Sequence, residues 1–368
     1  VIEWTIEAYP KARAPQWIID ERTPTIQEVQ NEFVYVNKEA SPGLPFHEIY
    51  PTKGELLENC GDIVAKCVVD RISKLIEYDY RLSPIDSVRN GLVDPYRLFI
   101  KNEPHPIAKL LEGRYRLISS CSIIDELVFS LIFRDQNQIE IDNWATCPSK
   151  CGMGHTDEMA KKIYDYVKPW IKYARSEDVS GWDWCVKQWM FEMYGESMLG
   201  SMGLRRDKFA RKLMFNVIHC LGNSVYCTSD GRLFTVDHTG IMNSGVPITA
   251  SGNSRIRVML ARMAGANNII AMGDDCVNDC RSDPSEFYRR AGVRLTAITK
   301  EDDESFSFCS HIYREDGAVP ESPIKAFVNL LHNDPNNPMF LMQFMLEMRH
   351  LPDINYWVDL YKQCISEN

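Results

Sequence analysis

Two groups of acidic residues have the types and spacing for metal-assisted chemistry on phosphates. One lies in Arg175–Val186, reading RSEDVSGWDWCV, where Asp178 is followed five positions later by Asp183. The other is Gly273–Asp274–Asp275, set between apolar flanks. Adjacent carboxylates repel unless a cation neutralises them, and a divalent metal does so best. If Asp178 closes an apolar strand beside a hairpin bearing Asp274, the two could share two Mg2+ ions ~3.5–4 Å apart, which activate a hydroxyl and hold a triphosphate in line. Asp275 ranks behind them as a ligand. A lone Gly-Asp-Asp is an ordinary surface turn and a lone Asp178 an ordinary loop cap; the combination carries the chemistry.

Two further segments supply what such a reaction needs. In Met242–Arg257 (MNSGVPITASGNSRIR), Ser244 and Gly245 make a flexible turn before a helix. Thr249 and Asn253 are four apart and share a face of that helix, where short polar side chains can read a sugar hydroxyl. Ser244 or Thr249 could equally serve as a plain helix cap. In Arg97–Arg116, five basic residues (Arg97, Lys101, Lys109, Arg114, Arg116) outnumber Glu103 and Glu112. Such a patch suits a triphosphate, a solvated loop being the alternative; Arg116, before Leu117 and Ile118, is the expected fixed contact, with Glu103 orienting a basic side chain by an ion pair.

These residues need a scaffold, and the composition provides for one. The chain has 368 residues, 45% hydrophobic and 25% charged, as a globular chain with a sizeable core does; disorder, collagen and coiled coil are excluded. No apolar run approaches the ~18 residues of a membrane span, and Val1–Pro10 lacks the pattern of a signal peptide. The chain is therefore expected to be soluble, and its opening on Val1 marks a trimmed chain or a product cut from something longer. Twelve cysteines show no C-x-x-C spacing, so free thiols in a reducing compartment are expected, not zinc. The net charge of −10 excludes a protein that coats nucleic acid over its whole surface but leaves room for a local basic channel.

The first fifty residues, rich in Pro, read as extended segments. Apolar spacing over 54–80 predicts an amphipathic helix. A strand at Arg97–Lys101, a helix at Ile124–Asn137, a strand end at Lys172–Ser176 and a helix over Asp183–Tyr194 follow. Ile248–Met263 reads as helix and Ile269–Asp279 as strand, tight turn, strand. Helices at Ile324–Leu331, Met339–Met348 and Ile354–Ser366 close the chain. The class is α+β around one central sheet.

In order and spacing these pieces resemble the palm of viral RNA-dependent RNA polymerases. Asp178 and Asp183 match motif A; Ser244, Gly245, Thr249 and Asn253 match motif B; Gly273–Asp275 match motif C, with Met272 where Tyr is usual. Ser41–Phe46 (SPGLPF) resembles motif G, Leu98–Ser119 motif F, and Phe308–Tyr313 (FCSHIY) motif E. The wording is most similar to polymerases of sobemoviruses and related small positive-strand RNA viruses, with picornavirus-like polymerases as broader kin.

The resemblance implies a right-hand fold with a central antiparallel palm sheet. Fingers would occupy 1–170, palm 171–195 and 236–322, a second fingers insertion 196–235, and a helical thumb 323–368. It implies RNA-dependent RNA polymerase activity: nucleotidyl transfer of NTPs onto an RNA 3′-OH with two Mg2+ ions, or Mn2+ as a substitute. A reverse transcriptase and an inactive RNA-binding scaffold are the rivals. Asp183, Ser244, Thr249 and Asn253 would read the ribose 2′-OH; Lys101, Lys109, Arg114 and Arg116 would meet the triphosphate. Ser41, Pro42 and Gly43 would guide template, and Cys309, Ser310 and His311 would grip primer, His311 being the more ordinary as a packed or backbone-bonded residue. Lys300, kept protonated by acidic neighbours Glu301–Glu304, is the candidate proton donor to pyrophosphate. Trp182 and Trp184 would anchor the Asp183 loop in the core, and Met339–Met348 would be a packed thumb helix. Expected partners are RNA template and primer, NTPs, a genome-linked protein primer and other viral replication proteins. The expected setting is the host cytoplasm, on membrane-associated replication complexes reached through partners.

Overall fold

The computed structural model describes residues 1–78, 82–105, 107–300 and 302–366. Their strands are β1 (Tyr96–Ile100), β2 (Leu117–Ser120), β3 (Arg175–Val179), β4 (Val225–Cys227), β5 (Leu233–Thr235), β6 (Ile269–Met272), β7 (Asp275–Asn278), β8 (Leu295–Thr299), β9 (Phe306–Phe308), β10 (His311–Arg314) and β11 (Gly317–Pro320). They make three sheets. The central one, in the order β6-β7-β3-β8, is antiparallel throughout. A second, β2-β1-β4-β5, joins the Arg97–Arg116 region to residues 225–235 through a parallel β1–β4 pair. A third, β11-β10-β9, precedes the C-terminal helices.

The central sheet follows from alternation. In β3, Glu177 and Val179 point inward and Asp178 outward, as the two-residue period of a strand requires. This strand is not the apolar one expected from sequence: it reads Arg-Ser-Glu-Asp-Val and buries a carboxylate. It begins at Arg175, because Lys168–Tyr173 is a 3-10 helix. The apolar β6 and Cys276–Val277 of β7 are covered by the helix Thr249–Met263. Every residue of that helix from Ser251 to Ala261 is buried, so its polar members must find partners inside the protein.

The amphipathic helix predicted over 54–80 spans Lys53–Glu77, capped by Thr52 and kinked at Cys60; 79–81 fall outside the described residues. The helix expected at Ile124–Asn137 runs longer, Ile123–Asp142, with Ser122 accepting from the Asp125 amide. Three expectations are corrected. The first fifty residues are not simply extended: helices form at Ile2–Ala8, Gln16–Ile19 and Ile26–Asn31. The third carries a full capping box between Thr25 and Glu28, a Thr-x-x-Glu signature visible in sequence. Asp183–Tyr194 is not one helix either. A single turn, Trp182–Cys185, ends at an extended Val186 with a fully buried side chain, and a new helix spans Gln188–Ser201.

The third correction concerns the C-terminal helices Pro323–Leu331, Pro338–Met348 and Ile354–Ser366, which share a small core of Phe327, Leu330, Phe344, Met348 and Tyr361. Of the methionines in the second, only Met348 is packed there; Met339, Met342 and Met345 face out. The twelve cysteines are all free thiols. No helix among the described residues is long and apolar enough to cross a membrane.

Candidate active site

The chain folds Asp178 and Asp274, nearly a hundred positions apart, onto one cavity of about 920 Å3. Asp178 stands on the outer face of β3 at a register shift against β8, where Thr296 Oγ1 donates to its Oδ2 at 2.7 Å. Asp274 sits in the two-residue turn between β6 and β7, exposed at the tip. Gly273 takes φ +62° there, a left-handed conformation that costs a residue with a Cβ. Its amide donates to Ser254 Oγ at 2.8 Å, and Arg257 Nε donates to the Asp274 carbonyl at 3.0 Å. Both partners belong to the helix Thr249–Met263, so that helix sets the turn.

Asp183 lines the same cavity from the single turn after Gly181, and its carbonyl accepts from Met242 N at 3.0 Å. Burial, then the Asp274 charge, push its carboxyl up to about 6, against a hydrogen bond from Asn253 and the charge of Arg116. The Asn253 side-chain oxygen is buried and has no partner. Ser244 also borders the cavity. It is zipped to β2: its amide donates to Ser119 Oγ at 2.9 Å, and its Oγ accepts from Ser119 N at 3.1 Å. Gly245 bridges to Ser120, and a Cβ there would lie 2.2 Å from the Ser119 carbonyl, so only glycine fits.

The basic side chains close the opposite wall. Lys101, Lys109, Arg114 and Arg116 all line the cavity. Glu103 pairs with Lys101 at 2.6 Å and Arg116 at 2.8 Å. Burial would lift this carboxyl, but the two cations hold it below its ordinary value. Arg114 pairs with Glu112.

Asp275 faces a second cavity of about 590 Å3, which Asp178 also borders, together with Cys309 and Ser310. Burial, then the Asp274 and Asp178 charges, push its carboxyl up to about 6. Cys309 and Ser310 form the tight turn between β9 and β10 with φ of +51° and +60°. Left-handed pairs there are usually left to Asn-Gly, so this turn holds strain beside the acidic centre.

Several residues singled out by sequence stand elsewhere. Lys300 does not join the cluster. Because β8 runs antiparallel to β3, Thr299 pairs with Ser176 while Leu295 pairs with Val179, so Lys300 leaves the sheet at the end away from Asp178. It borders a separate groove beside Arg175 and is paired with Asp303; its neighbour Glu301 lies outside the described residues. The Thr249 hydroxyl is spent on the Asn243 and Val246 carbonyls at 2.6 and 2.9 Å, fixing the loop rather than facing the cavity.

Ser41, Pro42 and Gly43 border neither cavity. Pro42 O accepts from Ile123 N, and Gly43 packs against the Cys121 carbonyl just beyond β2. His311 is buried, bonded to Cys309 O at 2.9 Å and stacked on His155 at 4.0 Å. Of the two tryptophans, only Trp182 is anchored in the core; Trp184 is half exposed and lines the cavity. Sequence reasoning missed Thr296, Ser119, Ser254 and Arg257. Only the last two carried a signal, as polar residues inside a helix that must be buried.

The donor set suits a hard divalent ion. Among the described residues, the side chains bonded to Asp178 and Asp275 are the neutral Thr296 and Cys309, and neither these two carboxylates nor Asp274 is held in an ion pair. Neither do three such side chains close on one point as a finished cage among these residues. Unbalanced carboxylate oxygens open to solvent fit a cation whose remaining ligands come from water and phosphate.

The family model for viral RNA-directed RNA polymerases matches residues 3–314. The replicase polyprotein P2AB of Southern bean mosaic virus is 40% identical over 299 residues, covering 76% of this chain and 30% of that protein. The protein P1-P2 of Pea enation mosaic virus-1 is 37% identical over 309 residues, covering 77% and 26%. The chain thus spans under a third of the length of these curated relatives. A Sicinivirus 3Dpol RNA dependent RNA polymerase superposes with a TM-score of 0.70 at 15% identity, covering 99% of this chain and 80% of that one; this likeness shows the right-hand fold. With that fold, the acidic floor and the basic wall in place, the chain belongs to the viral RNA-directed RNA polymerases.

Proposed function

We propose that this chain copies RNA by adding NTPs to an RNA 3′-OH, using two Mg2+ ions for which Mn2+ can substitute. One observation carries the reading: a single cavity sets Asp178, Asp183 and Asp274 against Lys101, Lys109, Arg114 and Arg116. Asp178 and Asp274 would hold the metal, with Asp275 supporting from the adjoining cavity. When bound, such ions lower the pKa of an attacking hydroxyl and neutralise charge on the transferring phosphate. The basic wall receives the triphosphate, with Glu103 orienting Lys101 and Arg116.

Asp183 and Asn253 read the ribose. The unpartnered Asn253 oxygen accepts a 2′-hydroxyl proton and is left unpaired by a deoxyribose, the situation in which discrimination is large. This favours ribonucleotides over the substrates of a reverse transcriptase. The strained Cys309–Ser310 turn lies where a primer end would reach Asp178. The setting we propose is the host cytoplasm, on membrane-associated complexes reached through other replication proteins, with a genome-linked protein as a candidate primer.

The test is incorporation of labelled NTPs on poly(C) or viral template with Mg2+. Parent protein makes product and Asp274→Asn makes none while retaining RNA binding; a fully active variant overturns the assignment.

A further inference from the structure

Behind the catalytic face of the central sheet, three buried polar side chains meet that take no part in the chemistry above. Arg257 is fully enclosed. Besides its bond to the Asp274 carbonyl, it donates to Glu177 Oε2 at 3.1 Å, and Tyr288 Oη donates to the same oxygen at 2.9 Å. Its guanidinium lies 5.4 Å from the Trp182 ring and 5.2 Å from that of Tyr288. Each partner belongs to a different piece of the site. Glu177 precedes Asp178, Trp182 precedes Asp183, and Tyr288 lies on the helix Ser285–Ala291 that leads into β8 and Thr296.

Stability alone does not call for this arrangement. A buried ion pair loses hydration that its attraction barely restores, and apolar residues of similar shape often serve as well. One Arg257 terminal nitrogen even lacks a partner. Arg255, two positions earlier on the same helix, supplies an internal comparison. It too is fully buried, but it pairs with Glu140, Ser197 and Ser201 and lies over the Tyr9 ring, with no bond among the described residues to a residue of the catalytic cavity.

We propose that Arg257 is a positioning residue: through Glu177 and the Asp274 carbonyl it fixes the separation of Asp178 and Asp274, and so sets the affinity of the site for divalent metal. This rests on the reading that those two carboxylates hold the metal. Partners behind ligating side chains typically change metal affinity ~10–100-fold when altered.

The experiment compares Arg257→Lys, Tyr288→Phe, Arg255→Lys and Asp274→Asn in the full chain. Mn2+ binding is followed by electron paramagnetic resonance without RNA or NTP, alongside kcat, KM for NTP and thermal stability. Arg257→Lys should weaken Mn2+ binding about tenfold and lower kcat with KM within twofold, kcat recovering partly at high Mn2+. Tyr288→Phe, which keeps the ring and folds more safely, should move the same quantities less. Arg255→Lys should lower thermal stability with Mn2+ binding unchanged. Parental Mn2+ affinity in both Arg257→Lys and Tyr288→Phe, or an equal loss in Arg255→Lys, overturns the positioning role. If Asp274→Asn itself binds Mn2+ as the parent does, the metal assignment is what fails.

Discussion

The acidic floor and the basic wall of the cavity face each other but are built differently. On the floor, Asp178 projects from β3 and Asp274 from the β6–β7 turn, and both are backed by Ser254, Glu177, Arg257 and Tyr288, all enclosed or nearly so. On the wall, Lys109, Arg114 and Arg116 are exposed on the segment between β1 and β2, held by ion pairs such as Arg116–Glu103 and Arg114–Glu112. Exposed pairs contribute only ~0–1 kcal/mol each, so the wall can rearrange at little cost, whereas moving the floor breaks a buried network. The difference matches the two tasks. On the proposed function, metal oxygens must be held in place, while a triphosphate must be admitted and its pyrophosphate released.

The contrast can be broken by mutation, beginning with the largest effect. Asp274→Asn should reduce single-turnover incorporation by ~10^3-fold or more, since metal stabilisation of transition-state charge is worth several kcal/mol. Its melting temperature should not fall, because the change relieves repulsion among carboxylates. A loss below tenfold would remove the distinction between floor and wall. Arg116→Ala should raise KM for NTP about tenfold, roughly 1.4 kcal/mol, with stability unaffected. A collapse of kcat as deep as that of Asp274→Asn would show the wall to be as exacting as the floor. Asn253→Ala should narrow the preference for NTP over dNTP by ~10-fold, as loss of a buried pairing partner does; competition between the two substrates measures it.

The smallest effect is on stability and tests the floor alone. Asp183 and Asp275 are pushed up to about 6, against about 3.9 in an unfolded chain. Between pH 4 and 6 the folded protein therefore keeps protons the unfolded chain has released, and stability falls as pH rises through that window. Metal-free protein should lose a few degrees of melting temperature, ~1–3 kcal/mol, from pH 5 to 7. Mg2+ should restore it at pH 7 and do little at pH 5, and Asp275→Asn should flatten both responses. Scanning fluorimetry decides; a parent profile flat in pH and metal contradicts the account.

What was legible in the sequence was local. Asp178, Asp183, Ser244 and the Gly273–Asp275 turn announce themselves by residue type and short spacing, as does the excess of cations before Arg116. What was not legible depends on pairings between distant segments. The position of Lys300 follows from how β8 runs against β3, and no pattern within 295–300 encodes that. That Arg257 lies in a buried helix could be read, but its pairing with Glu177, eighty positions away, could not. Thr249 has the right spacing, but the loop it caps takes its hydroxyl. In the first fifty residues the prolines outweighed a capping signature that was there to be read.

The double hydrogen bond between Ser119 and Ser244, with Gly245 pressed onto the next peptide of the same strand, has a mechanical result. The loop leading into the helix Thr249–Met263 and the strand behind the cationic segment are tied to move together. On the proposed function, a shift at the triphosphate would thereby reach the ribose side without passing through the carboxylates beneath.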